Sequence, residues 1–120
     1  MGIIAITGSA SGIGAATAAR LREAGHTVIG VDRRYADVVA DLGTPAGREA
    51  AIAAIGERSA GVLDGLVTCA GLGPLPSRPG SAIVSVNYFG TVVLLEGLRP
   101  LLAAAAAPAA VAISSNWVTT

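Results

Sequence analysis

Lysine is absent from the 120 residues, and all eight basic residues are arginine. Any chemistry that needs a lysine amine from these residues is therefore excluded. Aromatic residues are scarce (one Trp, one Phe, two Tyr), so a core has to be built from Ala, Val, Ile and Leu, which dominate the 52% hydrophobic fraction. Cysteine occurs once, at Cys69, and cannot close an internal disulfide. That usage fits a reducing compartment and, with no secretion signal in the first residues, makes a cytoplasmic location the expectation. Charge is sparse as well: 13% of residues are charged, and eight acids balance the eight arginines. A neutral chain lacks the field that draws proteins to nucleic acid or to an anionic membrane, so neither is expected as a partner. The length allows one domain or part of one.

What is abundant is aliphatic surface, with a mean hydropathy of +0.66. Two stretches test a membrane reading. Gly2 to Ile6 is too short for a signal-peptide core and has no basic residues before it. Ser81 to Ala107 is long enough, but Asn87, Glu96, Arg99 and Pro100 interrupt it. A buried or subunit-packing helix is the expectation there.

The apolar runs alternate with helical patterns. Ile3 to Thr7 reads as a strand buried on both faces. Ile13 to Ala24 is helical, closed by Gly25. Thr27 to Asp32 is a second strand with an acid at its end, and Val38 to Leu42 holds a short third. Thr44-Pro45 is an N-cap followed by N1, opening a helix to about Arg58. Leu66 to Ala70 is a fourth strand, Ser81 to about Ala107 a long helix bent near Pro100, and Ala109 to Ile113 a fifth strand. Strands separated by helices imply parallel pairing and a doubly wound, three-layer α/β sheet of Rossmann type.

Thr7-Gly8-Ser9-Ala10-Ser11-Gly12-Ile13-Gly14 lies between the first strand and the first helix. Gly8 permits a tight turn, Gly12 removes a Cβ where a pyrophosphate would approach, and Gly14 permits close packing of helix on strand. The loop has no cation, so an anion there would rest on backbone N–H groups, on Ser11 and on the helix dipole. Asp32 stands 18 residues past Gly14, near the place of a ribose-binding carboxylate. A carboxylate accepts both ribose hydroxyls and repels a 2′-phosphate, which favours NAD over NADP. The adjacent Arg33 and Arg34 work against that preference. Asp32 is also readable as a turn residue.

The pattern Thr-Gly-x-x-x-Gly-x-Gly resembles the short-chain dehydrogenase/reductase family, and further motifs follow in the family's order. Asp41-Leu42 is similar to its adenine-holding pair. Cys69-Ala70-Gly71 is similar to the end of its Asn-Asn-Ala-Gly motif, although Thr68 and Cys69 stand in place of both Asn residues. Asn87 matches the helix Asn and Ser115 the catalytic Ser after the fifth strand. Leu72-Gly73-Pro74 and Val84 to Gly90 resemble the bacterial 3α-hydroxysteroid dehydrogenase/carbonyl reductase subgroup. The resemblance covers essentially the whole chain. It implies NAD-dependent interconversion of a secondary alcohol and a ketone, with a steroid or other carbonyl compound as substrate. It further implies a homo-oligomer, dimer or tetramer, paired through the long helix. The cofactor residues it implies, together with the loop reading, are Gly8, Ser11, Gly12, Ile13, Gly14, Asp32, Asp41, Leu42, Ala70 and Gly71. The catalytic ones are Ser115 and Asn87, and no metal site is assigned.

The family's proton donor is a Tyr with a Lys four residues later. Here the residues four past Tyr35 and Tyr88 are Val39 and Val92. A Tyr of ordinary pKa, about 10, has to be tuned down for work near neutrality, and nothing in these residues does so. The 120 residues are therefore expected to be the N-terminal, NAD-binding part of one such domain, inactive alone. The alternative is a truncated nucleotide-binding protein without catalysis. Ser115 is also readable as a strand-end Ser capping a turn, and Asn87 as a buried mid-helix Asn bonded to a neighbouring backbone carbonyl. His26 is expected to be a solvated loop residue and Cys69 a small core residue, while Trp117 is readable equally as a substrate wall or as packing against the rest of the domain.

Overall fold

Alternating aliphatic residues in the apolar runs build a parallel sheet with two covered faces. The structure, a computed structural model, describes residues 2–73 and 75–114. Its strands are β1 (Ile3–Thr7), β2 (Thr27–Asp32), β3 (Val38–Val39), β4 (Gly65–Thr68) and β5 (Ala109–Ala112). The helices are α1 (Gly12–Glu23), α2 (Pro45–Arg58), α3 (Gly80–Val84) and α4 (Gly90–Ala103), the last two joined by a π-helical turn over Ser85–Phe89. All strand pairs are parallel, in the order β3-β2-β1-β4-β5. The chain runs outward from β1 through β2 to β3, then returns to the other side of β1 as β4. This reversal is the place where doubly wound sheets open a crevice at the carboxyl ends of their strands.

The period of two along each strand sorts the core into layers. Ala5, Ile29, Val31 and Leu66 face α2 and α4, where Ala51, Ile55, Leu94 and Leu98 are buried against them. Ile6 and Val28 face α1 and its Ala18. Gly97 lets α4 approach α2, since a Cβ there would meet Ile52 Cδ1 at 2.3 Å. The continuous helical stretch Gly80–Ala103 is long and apolar enough to cross a membrane by length and composition. It nevertheless joins β4 to β5, adjacent parallel strands of one sheet, and so has to lie back along the sheet's face.

The sequence-derived boundaries hold at β1, β2 and α2, where Thr44 caps the helix by accepting from Gly47 N–H. Three differences are informative. The third strand is only two residues long, because Asp41 leaves the ladder: its Oδ1 accepts from Gly43 N–H and its carbonyl from Thr44 N–H, turning the chain into α2. The long helix ends at Ala103 rather than about Ala107. Alanine propensity favours continuation, but Pro108 disfavours helical geometry at the residue before it, and the chain has to reach β5 at Ala109. The change in helical hydrogen bonding falls at Ser85–Phe89, while the helix runs through Pro100 to Ala103. His26 is half-buried, and its Nδ1 accepts from Gly2 N–H at 3.1 Å, so it helps to hold the start of β1.

Helix α2 ends in a Schellman arrangement. Gly61 N–H donates to Gly56 O and Ala60 N–H to Glu57 O, which puts Ala60 in the left-handed region with φ 55°. Alanine is strained there and glycine is not. Ala60→Gly should therefore raise stability by about 0.5–1 kcal/mol, net of the extra freedom of the unfolded chain. Urea unfolding measures it, and an unchanged or lower midpoint would contradict the assignment.

Candidate cofactor cleft

Where β1 meets α1, the backbone is packed at the limit of contact. A Cβ on Gly14 would lie 2.0 Å from the Gly8 carbonyl oxygen. Gly8 itself has φ +72° and presses on the β4 loop, so that a Cβ on it would come within 2.8 Å of Ala70 N. The loops after β1 and β4 are thereby drawn together under the helix. Thr7 secures the junction from beneath: its buried Oγ1 accepts from both Cys69 N–H and Ala70 N–H at 3.1 Å. This hydroxyl supplies a tie across the β1–β4 junction beside Thr68 and Cys69, where the family's paired Asn residues are replaced. The side chain of Thr68 gives no such help, since its buried Oγ1 has no hydrogen-bond partner among the described residues.

Gly12 turns the chain into α1 with φ +58°, and nothing lies within 4 Å of where its Cβ would be. That open side faces a cleft of about 650 Å³. Ser11 is the N-cap residue, but its side chain makes no capping bond, and the first turn of α1 carries no acidic residue. The first helical N–H groups, which lack partners within the helix, and the positive end of its dipole are thus available to an anion. Asp32 stands at the tip of β2. Its Oδ2 accepts from Ala10 N–H at 2.9 Å and its Oδ1 from Arg33 N–H at 2.7 Å. It is thus a turn residue that braces the glycine loop, and each oxygen keeps a lone pair for a further donor.

All ten residues assigned to a cofactor from the sequence line this one cleft. The sequence reading missed the opposite wall, formed by Ser81, Ala82, Ser85 and Val86 of α3 and the π turn. Val86 packs so near Gly43 that a Cβ there would stand 3.1 Å from Val86 Cγ2. The reading also missed Thr7 and Arg48. Arg48 shares the buried stripe of α2 with Ala51 and Ile55, a helical spacing that periodicity alone reveals.

Asn87 is not in the lining. It grips the backbone of Leu72, which is: Oδ1 accepts from Leu72 N–H at 2.6 Å and Nδ2 donates to Leu72 O at 3.0 Å. The buried Asn bonded to a neighbouring carbonyl, considered as an alternative for this residue, is not what the structure shows: Asn87 is exposed, and the carbonyl it bonds lies 15 residues away in the loop after β4. Cys69 is a half-buried wall of the cleft, and burial pushes its thiol pKa up, away from the reactive thiolate. Ser115 and Trp117 lie outside the described residues.

The chain matches the short chain dehydrogenase family model over residues 2–119. It is 50% identical over 115 residues to the 3-alpha-hydroxysteroid dehydrogenase/carbonyl reductase of Comamonas testosteroni, covering 96% of this chain and 44% of that protein. It is 42% identical over 105 residues to a coniferyl-alcohol dehydrogenase of a Pseudomonas species, covering 79% of this chain and 37% of that one. Its structure superposes with a TM-score of 0.89 on the NADH complex of the 3-alpha-hydroxysteroid dehydrogenase from Pseudomonas sp. B-0831. That pair shares 55% identity, over 95% of this chain and 48% of the other. The chain spans less than half the length of each of these relatives.

The hydroxyl of Thr7 is the most exposed weakness of the cleft floor to substitution. Thr7→Val keeps the shape and removes the acceptor of the two 3.1 Å bonds. It should cost about 1–3 kcal/mol, and Thr7→Ser much less, since it keeps the hydroxyl. Urea melts decide; a neutral Thr7→Val would remove the hydroxyl from its structural role.

Proposed function

Since the chain belongs to the short-chain dehydrogenase family, we propose that its cleft binds NAD and that the whole protein interconverts a secondary alcohol and a ketone. The observation that carries this reading is the open side of Gly12, set against uncapped helical N–H groups and the idle Ser11 hydroxyl. That cradle suits a pyrophosphate. Asp32 accepts the adenosine ribose hydroxyls with its remaining lone pairs and disfavours a 2′-phosphate, which selects NAD over NADP. Asp41 and Leu42 flank the adenine on one side and Val86 on the other. The nicotinamide, when bound, carries hydride to or from the substrate carbon.

The resemblance assigns Ser115 to hold the substrate oxygen and Asn87 to order the proton relay. The two bonds from Asn87 to Leu72 support the latter by keeping the π turn seated on the β4 loop. The 120 residues hold no Tyr-x-x-x-Lys, so by themselves they bind the dinucleotide without turnover. A 3α-hydroxysteroid or related carbonyl compound is the substrate class that the two hydroxysteroid dehydrogenase relatives favour.

NADH fluorescence titration tests the reading. The chain should bind NADH and reduce no ketone. No binding at millimolar NADH would defeat the cofactor assignment. In the same assay Asp32→Ala should weaken NADH by about tenfold while leaving NADPH far less affected, as loss of a charge-assisted pair and of a phosphate-repelling charge together require. Equal losses for both cofactors would remove the ribose role from Asp32.

The complete protein also forms a homo-oligomer, dimer or tetramer, through the long helix. Val84, Tyr88 and Phe89 are exposed on that element, a run of apolar side chains that water solvates poorly. Light scattering of the complete protein should give a mass above the monomer; a monodisperse monomer would refute this assembly.

A further inference from the structure

Arg48 is 7% exposed, and the only ion pair among the described residues joins Arg22 to Asp37. A buried cation without a carboxylate is expensive. Its place in the first turns of α2, near the positive end of that helix, adds to the cost. Three contacts offset it. Nε donates to Leu42 O at 2.9 Å, Nη2 donates to Ser85 O at 3.2 Å, and the guanidinium lies 5.6 Å from the centroid of the Phe89 ring.

The two carbonyls belong to opposite lips of the cleft. Leu42 lies in the turn after β3, Ser85 opens the π turn, and both residues line the cleft. The fork of the guanidinium spans them at a fixed separation, which an ammonium on a flexible stem does not do. The start of α4 packs against both lips: a Cβ on Gly90 would be in ordinary contact with Leu42 O at 3.5 Å and Ser85 O at 3.7 Å. Arg48 itself does not line the cleft. It sits behind the wall.

We propose that Arg48 is a positioning residue for the adenine end of the cleft, setting the distance between the Leu42 and Ser85 lips. The inference rests on the dinucleotide reading above. It separates the two ends of the ligand, because the glycine loop that faces the pyrophosphate is braced independently by Thr7 and Asp32.

The test uses the full chain with Arg48→Lys and Arg48→Ala, titrated with NADH, AMP and inorganic pyrophosphate. Arg48→Ala should weaken NADH and AMP together by about tenfold and leave pyrophosphate unchanged, and added methylguanidinium should restore part of the loss. Arg48→Lys keeps the charge and should still lose affinity for NADH and AMP. Should Arg48→Ala not fold, as judged by circular dichroism, Arg48→Lys carries the same comparison. Unchanged NADH and AMP affinity in Arg48→Lys, or an equal loss for pyrophosphate, would overturn the positioning role. An unmodified chain that binds neither NADH nor AMP would overturn the functional reading and this inference with it.

Discussion

The cleft depends on one steric constraint, the approach of the Gly14 backbone to the Gly8 carbonyl. A Cβ at position 14 would stand 2.0 Å from that oxygen, far inside the contact distance of carbon and oxygen. With no side chain there, α1 starts directly over the end of β1, with no side-chain cap at Ser11 and open space beside Gly12. The same turn pushes Gly8 against Ala70, so the β1 and β4 loops meet where the strand order reverses. The open helix terminus and the closed floor thus share a single cause and meet at the point where the strand order reverses. Neither involves a cation, so the dinucleotide site proposed above asks nothing of a lysine.

The polar groups beneath the cleft are unevenly satisfied. Thr7 serves two backbone donors with one oxygen, whereas Thr68, its neighbour in register, has a buried hydroxyl with no partner among the described residues. An orphaned hydroxyl of this kind costs on the order of 1–3 kcal/mol. The ties across this junction come from β1: Thr7 Oγ1 accepts from Cys69 and Ala70 N–H, and Thr7 O also accepts from Cys69 N–H at 3.2 Å. Cys69 brings no compensating chemistry, since burial holds its thiol in the protonated form.

How far the residues disclosed this arrangement depends on the range of the interaction. Glycine spacing, the Thr44-Pro45 start and the five aliphatic runs are local; they located β1, β2 and α2, and they singled out ten residues that all line one cleft. The misses are tertiary. The π turn over Ser85–Phe89 brings Ser85 O to Arg48 and Asn87 to Leu72, and neither partner is near in sequence. The stop at Ala103 likewise comes from the need to enter β5, against a strong local preference for helix. Arg48 was the intermediate case. Its periodicity marks it as buried, but only its partners explain why a cation is tolerated there.

The high aliphatic content acquires a physical meaning from how the sheet is covered. Helices α2 and α4 cover one face, and the cluster there includes twelve buried residues. On the other face the buried set is Ile6, Ala18 and Val28, beneath α1 alone. Strand β5 is exposed along its whole length, with Val111 half in water and Ile113 beyond it also exposed. An aliphatic edge strand without charge or bulge invites pairing and is normally covered or blunted. The uneven burial leaves much of the aliphatic surface of these residues facing water. It accounts for a chain that is strongly apolar and yet has an exposed strand made of alanine and valine.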